Sequence, residues 1–233
     1  MRKLLTILFF IPVIGFGQMT ITPSNTAFST TGIGSIVSPT LTAGRLYILL
    51  VGVSNDLGAP ATVSLAGTGQ TWTLIDQIVS SSSRRIAAYR YAATSTTTSN
   101  INFSYTGTQD GAWCTLFEVV GAVMTGTNGS DAIVQAPTSN TGGPDPTITM
   151  SALLNRASVI IAFSNNANPF IGTVESGWTE AIDNGYATPD MGAYAMYRNN
   201  TSDNTPTVTA SSTDWAGIAI EIKAAGRKNT NID

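Results

Sequence analysis

Apolar positions in this chain fall into short runs. Leu46–Val53 is apolar at nearly every position, which predicts a strand covered on both faces. Val159–Phe163 predicts a second strand of the same kind, and both runs are too short for a core helix. Ile101, Phe103 and Tyr105 alternate with Asn102, Ser104 and Thr106, the period-two pattern of a strand with one wet face. Trp113–Val120 and Ile218–Lys223 read as further apolar strands. Between the runs lie turn clusters, among them Asn55-Asp56-Leu57-Gly58, Gly67-Thr68-Gly69, Gly107-Thr108-Gln109-Asp110 and Thr141-Gly142-Gly143-Pro144-Asp145-Pro146. After the first residues no stretch of helical period exceeds two turns. The expected fold is an all-β antiparallel sandwich or jelly roll.

The pattern occurs twice. Gln70–Tyr91 returns in degraded form at Gly177–Arg198: Trp72-Thr73 matches Trp178-Thr179, Ile75-Asp76 matches Ile182-Asp183, and Ala88-Tyr89-Arg90 matches Met196-Tyr197-Arg198. The flanks follow in the same order. Pro39-Thr40-Leu41 and the run after Arg45 correspond to Pro146-Thr147-Ile148 and the run after Arg156, while Asp110–Val123 corresponds to Asp214–Gly226, with Glu118 and Glu221 near the same place. A period of about a hundred residues is longer than the roughly 20–50 of solenoid and propeller units, so the chain reads as two homologous β halves.

Residues 1–17 carry two basic residues, an apolar run interrupted by Pro12, and glycines flanking Phe16. This is the three-part pattern of a signal peptide, with cleavage expected before Gln18. A spanning helix needs about 20 apolar residues, so no membrane span is expected once the signal is removed. The expected organisation is therefore a signal at 1–17, a first half at 18–125, a second half at 126–226 joined to it in one compact unit, and a polar tail at 227–233.

Composition sharpens the picture. Charged residues are 11% and hydrophobic residues 42% of the 233, so the surface must be mostly hydroxyl and amide. The single Cys114 cannot form an intramolecular disulfide and reads as a buried thiol. The net charge is −3, and Arg84-Arg85, the only basic pair in the body, reads as a solvated hairpin end. Nucleic acid is not an expected partner.

The motifs Gly44-Arg45-Leu46, Thr71-Trp72-Thr73, Ala88-Tyr89-Arg90, Glu118-Val119-Val120-Gly121, Ser130-Asp131 and Gly177-Trp178-Thr179 together span about Thr20–Ala225. With them the chain resembles the jelly-roll-like, lectin-type β-sandwich domains with Gly-Trp-Thr turns found in phage tail and virion proteins and in exported bacterial surface proteins. The resemblance implies a sandwich fold and carries over no catalytic residues.

Chemistry is limited by what the chain lacks. With no His, the Ser/His/Asp and Cys/His nucleophilic systems and the usual zinc sites are excluded. Gly67-Thr68-Gly69 lacks the Lys and the following helix of a phosphate loop. Paired carboxylates remain, and Glu118 with Glu221 is the pair to examine, since glycoside hydrolysis needs two acids about 5–10 Å apart. The duplication alone also explains that pair. Trp72, Trp178 and Tyr186 stand in or near turns and are the candidate ligand-binding residues, because flat aromatic faces stack on sugars; a Trp repeated in both halves also suits a core plug. Asn55-Asp56, Asp131, Asp145 and Asp203 are the loop groups calcium would use, although none has a known loop spacing and turn capping accounts for each. No catalytic residue, metal site or cofactor is expected. The reading is a non-enzymatic module, secreted or at the cell surface, with glycans or copies of itself as partners. The alternatives are a self-assembling virion or fibre subunit and, more remotely, a carboxylate-dependent glycosidase.

Overall fold

The computed structural model describes residues 19–29, 33–55, 63–67, 69–80, 83–105, 111–154, 157–165, 172–187, 190–210 and 214–226. The expected signal at 1–17, its cleavage point, the tail at 227–233, Asp56 and the 107–110 turn lie outside the described residues.

The chain is all-β and antiparallel. Its first large sheet joins β1 (Thr20–Ser29), β4 (Leu46–Ser54), β6 (Thr73–Val79), β7 (Arg84–Ala92) and β10 (Gly111–Val120) in the order β1-β10-β4-β7-β6. Above it lie a three-stranded sheet of β2 (Ile33–Ile36), β5 (Val63–Gly67) and β9 (Ile101–Tyr105), and a short pair of β3 (Thr40–Leu41) with β8 (Thr97–Thr98). A 3-10 turn at Thr127–Ala132 leads to the second large sheet. Its strands are β11 (Ile133–Gln135), β12 (Thr138–Ser139), β13 (Ser158–Asn165), β14 (Thr179–Ala187), β15 (Asp190–Arg198) and β16 (Trp215–Ile222). They run β11-β16-β13-β15-β14, with β12 following β11 along β16.

Period-two alternation divides the core into three. On β4, Leu46, Ile48 and Leu50 face the second sheet, where Ile160, Ala162, Ala195, Ile218 and Ile220 meet them. Tyr47, Leu49, Val51 and Val53 face the other way, beneath Ile36, Ile101 and Phe103. A third cluster lies on the far side of the second sheet, where Val159, Ile161 and Phe163 are covered by Ile148, Met150, Trp178 and Val208. The central strands β4 and β16 are thus buried along their whole length, which explains why they are written without polar alternation.

The two large sheets share a plan. β4, β6, β7 and β10 occupy the places of β13, β14, β15 and β16. A bulge interrupts β6 between Leu74 and Asp76, and another interrupts β14 between Glu180 and Ile182, each three residues beyond a tryptophan. The register differs from the sequence match by one residue: Thr73 lies opposite Arg90, and Thr179 lies opposite Tyr197 rather than Arg198. Edge strand β1 shifts register between Pro23 and Asn25, and Pro137 separates β11 from β12, so one edge of each large sheet carries a proline that withholds a donor. The halves are stitched at one end, where Ala122 bridges Ala224, and Val123 N–H and Ala225 N–H donate to Lys223 O and Gly121 O at 3.1 and 2.8 Å.

One expectation needs correction. Arg84 is 2% exposed and not solvated, because it lies on the same face of β7 as Ile86 and Ala88 and so points between the sheets. Its Nη1 donates to Ser83 O at 3.2 Å.

Candidate functional site

The two repeated tryptophans are held differently. Trp178 follows a turn that Gly177 enters at φ 85°, a conformation glycine adopts without a Cβ penalty. The indole is 6% exposed, and its Nε1–H donates to Asp203 Oδ2 at 2.8 Å. Trp72 is half-buried and lies 5.5 Å from Tyr91, centroid to centroid. Its Nε1–H donates to Gln70 Oε1 at 2.9 Å, and Gln70 in turn donates to Ser99 Oγ at 2.7 Å. Both rings therefore serve as wedges between an edge strand and the layer outside it. Tyr186 contributes its backbone to β14, and its side chain is outside the described residues.

Glu118 and Glu221 share a register position. Glu118 lies opposite Tyr47 on β4, and Glu221 opposite Val159 on β13. Tyr47 and Val159 face the two outer layers, so the carboxylates point away from each other across two stacked sheets. Sheets stack about 10 Å apart, which puts these outward groups beyond the spacing that a shared sugar cleft requires. Arg45 and Tyr47 donate to Glu118, the tyrosine at 2.9 Å. Glu221 is fully buried and accepts from Gln135 Nε2 and from Leu154 N–H, both at 2.6 Å.

Those bonds organise one wall of an open pocket among the described residues. Gln135 also accepts from Ser151 N–H at 2.9 Å, so Glu221 and Gln135 fix segment 151–154 from below. Ala152, Leu153 and Leu154 form one wall of a cavity of about 630 Å³, and Asn200, Thr201, Ser202 and Asn204 form the other. The second wall is rigid. Asn200 sits at φ 52°, Thr201 N–H donates to Ala157 O at 3.2 Å, Asp203 N–H donates to Thr201 Oγ1 at 3.0 Å, and Asn204 Nδ2 donates to Met150 O at 3.2 Å. None of the seven lining residues is charged, and Leu154 is 42% exposed. The polar run from Asn199 to Thr205 is the sequence signal that marks this wall; Asp203 within it, a calcium candidate by residue type, braces Trp178.

The remaining acids are spent locally. Asp131 accepts from Thr125 Oγ1 at 2.8 Å and Asp145 from Ala210 N–H at 3.0 Å. Among the described residues no three His, Cys, Asp or Glu side chains converge as metal ligands. Asp183, on edge strand β14, accepts from Gly172 N–H at 3.1 Å through Oδ2, and burial holds its carboxyl above the usual carboxylate range. Glu180 on the same strand is raised by burial and then by the charge of Asp183. Cys114 is buried, which pushes its thiol up to about 12.

No protein-family profile matches the chain, and no curated protein or solved structure does so either.

Proposed function

We propose that this protein is an exported, non-enzymatic β-sandwich that serves as a surface or structural module and recognises neutral, hydroxyl-bearing groups such as those of glycans. The observation that carries this reading is the Leu154–Asn200 pocket. Its described lining offers amides, hydroxyls and one aliphatic face, the combination that meets a sugar's hydroxyls and C–H face, without a charge that would favour an ion. Glu221 lies behind the wall as a buried acceptor of structural hydrogen bonds, which suits a positioning role and not acid–base chemistry. The succession of basic, apolar and small residues at the start of the sequence supports export.

A glycan array probed with wild type and with Asn200→Ala and Ser202→Ala tests the reading. Binding to particular glycans that either substitution weakens, while the folded state is retained, is the expected result. A blank array with filaments or closed oligomers in negative-stain images would instead favour the self-assembling subunit, for which the nine-residue edge strand β14 is the supporting feature.

A further inference from the structure

The sequence contains two Asn-Gly steps, Asn128-Gly129 and Asn184-Gly185, and the fold treats them in opposite ways. In such a step the glycine's backbone nitrogen, unhindered by a neighbouring Cβ, attacks the asparagine Cγ. The new C–N bond forms as the Cγ–NH2 bond breaks, ammonia leaves with the proton, and water opens the resulting succinimide to aspartate or isoaspartate. Water is consumed, ammonia is released, and no oxidant or reductant takes part.

Asn128 is locked against this reaction. Its φ and ψ are 52° and 42°, which set the Gly129 nitrogen nearly anti to Cβ, the arrangement furthest from ring closure. Its amide is also fully engaged. Oδ1 accepts from Ala92 N–H at 2.8 Å, and Nδ2 donates to Thr71 O, Thr73 Oγ1 and Arg90 O at 2.8, 3.0 and 3.0 Å. Gly129 cannot shift easily, because a Cβ there would already press on Leu46 and Ala92 at 3.1 and 3.2 Å.

Asn184 is held less tightly: it lies in extended strand β14 and not at a left-handed φ, and among the described residues Gly185 N–H is the one hydrogen-bond partner of its amide. It is exposed on β14, the outermost strand of its sheet, where among the described residues one flank has no neighbouring strand. Its Oδ1 accepts from Gly185 N–H at 2.8 Å, so the attacking nitrogen already rests against the amide it must attack. We infer that Asn184 is the site of spontaneous deamidation in the folded protein, and that Asn128, the same dipeptide, is preserved by the fold. The product adds a negative charge beside Asp183 and, as isoaspartate, one extra main-chain carbon, which disturbs the two-residue alternation along β14. An aged molecule therefore presents a more acidic and less regular edge.

The experiment incubates the purified full chain at mildly alkaline pH, with and without denaturant, and follows both peptides by mass spectrometry with chromatographic separation of isoaspartate. The expected result is conversion at Asn184 at least about tenfold faster than at Asn128 in the native protein, with the ratio falling to near unity in denaturant. Asn184→Gln should abolish the native mass gain. Equal native rates, faster conversion of Asn128, or a native Asn184 that resists conversion would each overturn the inference.

Discussion

Glu118 and Glu221 occupy the same place in their two sheets and point to opposite outer faces of the molecule. Only one of them is fully buried, and that difference sets their contributions. Replacing Glu221 with Ala leaves Leu154 N–H and the Gln135 amide without their acceptor, at a cost of about 1–3 kcal/mol. Glu118 is partly solvated, and its pairing with Arg45 contributes roughly 1 kcal/mol or less. Urea unfolding of Glu118→Ala and Glu221→Ala should rank them in that order, and the reverse ranking would refute the argument.

Gly52 is a packing requirement. A Cβ there would lie 2.0 Å from Trp113 Nε1, so Gly52→Ala should cost about 1–3 kcal/mol or more. Pairing it with Trp113→Phe should recover part of the loss. Additive losses in a double-mutant cycle would show that the contact is not the cause.

Asn128→Asp removes the three Nδ2 donations and turns a carboxylate oxygen toward the Thr71 and Arg90 carbonyls. A loss of about 2–4 kcal/mol at neutral pH is expected, the sum of several bonds at roughly 1 kcal/mol each with the repulsion added. Thermal melts that leave the variant within the error of wild type would refute the claim.

Asp183 gives a pH signature. Its folded-state pKa is raised by burial, so the folded protein binds the proton more tightly than the unfolded chain does. Its contribution is complete below the unfolded value of about 4 and is lost as pH rises through the folded value. Glu180, raised by burial and by Asp183, has the same sign. Melts taken from mildly acidic to neutral pH should show a fall in stability that Asp183→Asn reduces; an unchanged slope in the variant would rule the group out.

Cys114, with its thiol pushed up to about 12, should resist alkylation at neutral pH until the protein unfolds. Rapid labelling of the native protein by iodoacetamide would contradict the burial.

The strands were legible because burial on one face or two writes itself directly into the alternation of side chains. Leu46–Val53 and Ile101–Phe103 lie where the pattern put them. Arg84 was misread because its charge outweighed its parity, although two residues on Ile86 faces the core. The one-residue difference in the second repeat does not come from the bulges, which both repeats share at the same place; it lies in the hairpin connection, where Val79 pairs with Arg85 but the matching Gly185 pairs with Gly192, one residue further along the chain. The pocket was hidden for another reason. Its walls come from segments nearly fifty residues apart, and the carboxylate that supports one of them reads in sequence as the counterpart of Glu118.

The stitched end at Ala122 and Ala224 gives the molecule a polarity. Thr20, the first residue of β1, pairs with Val120 beside that end, and the last described residues leave from it too. Leu154 and Asn200 flank strand ends at this same pole, next to Ile222 and Arg198. A body tethered through either flank would hold its pocket close to the tether and turn the Asn55, Ser83 and Asp214 end outward. On the proposed reading it would meet ligands lying on the surface that carries it, and reach a second, opposing surface only poorly.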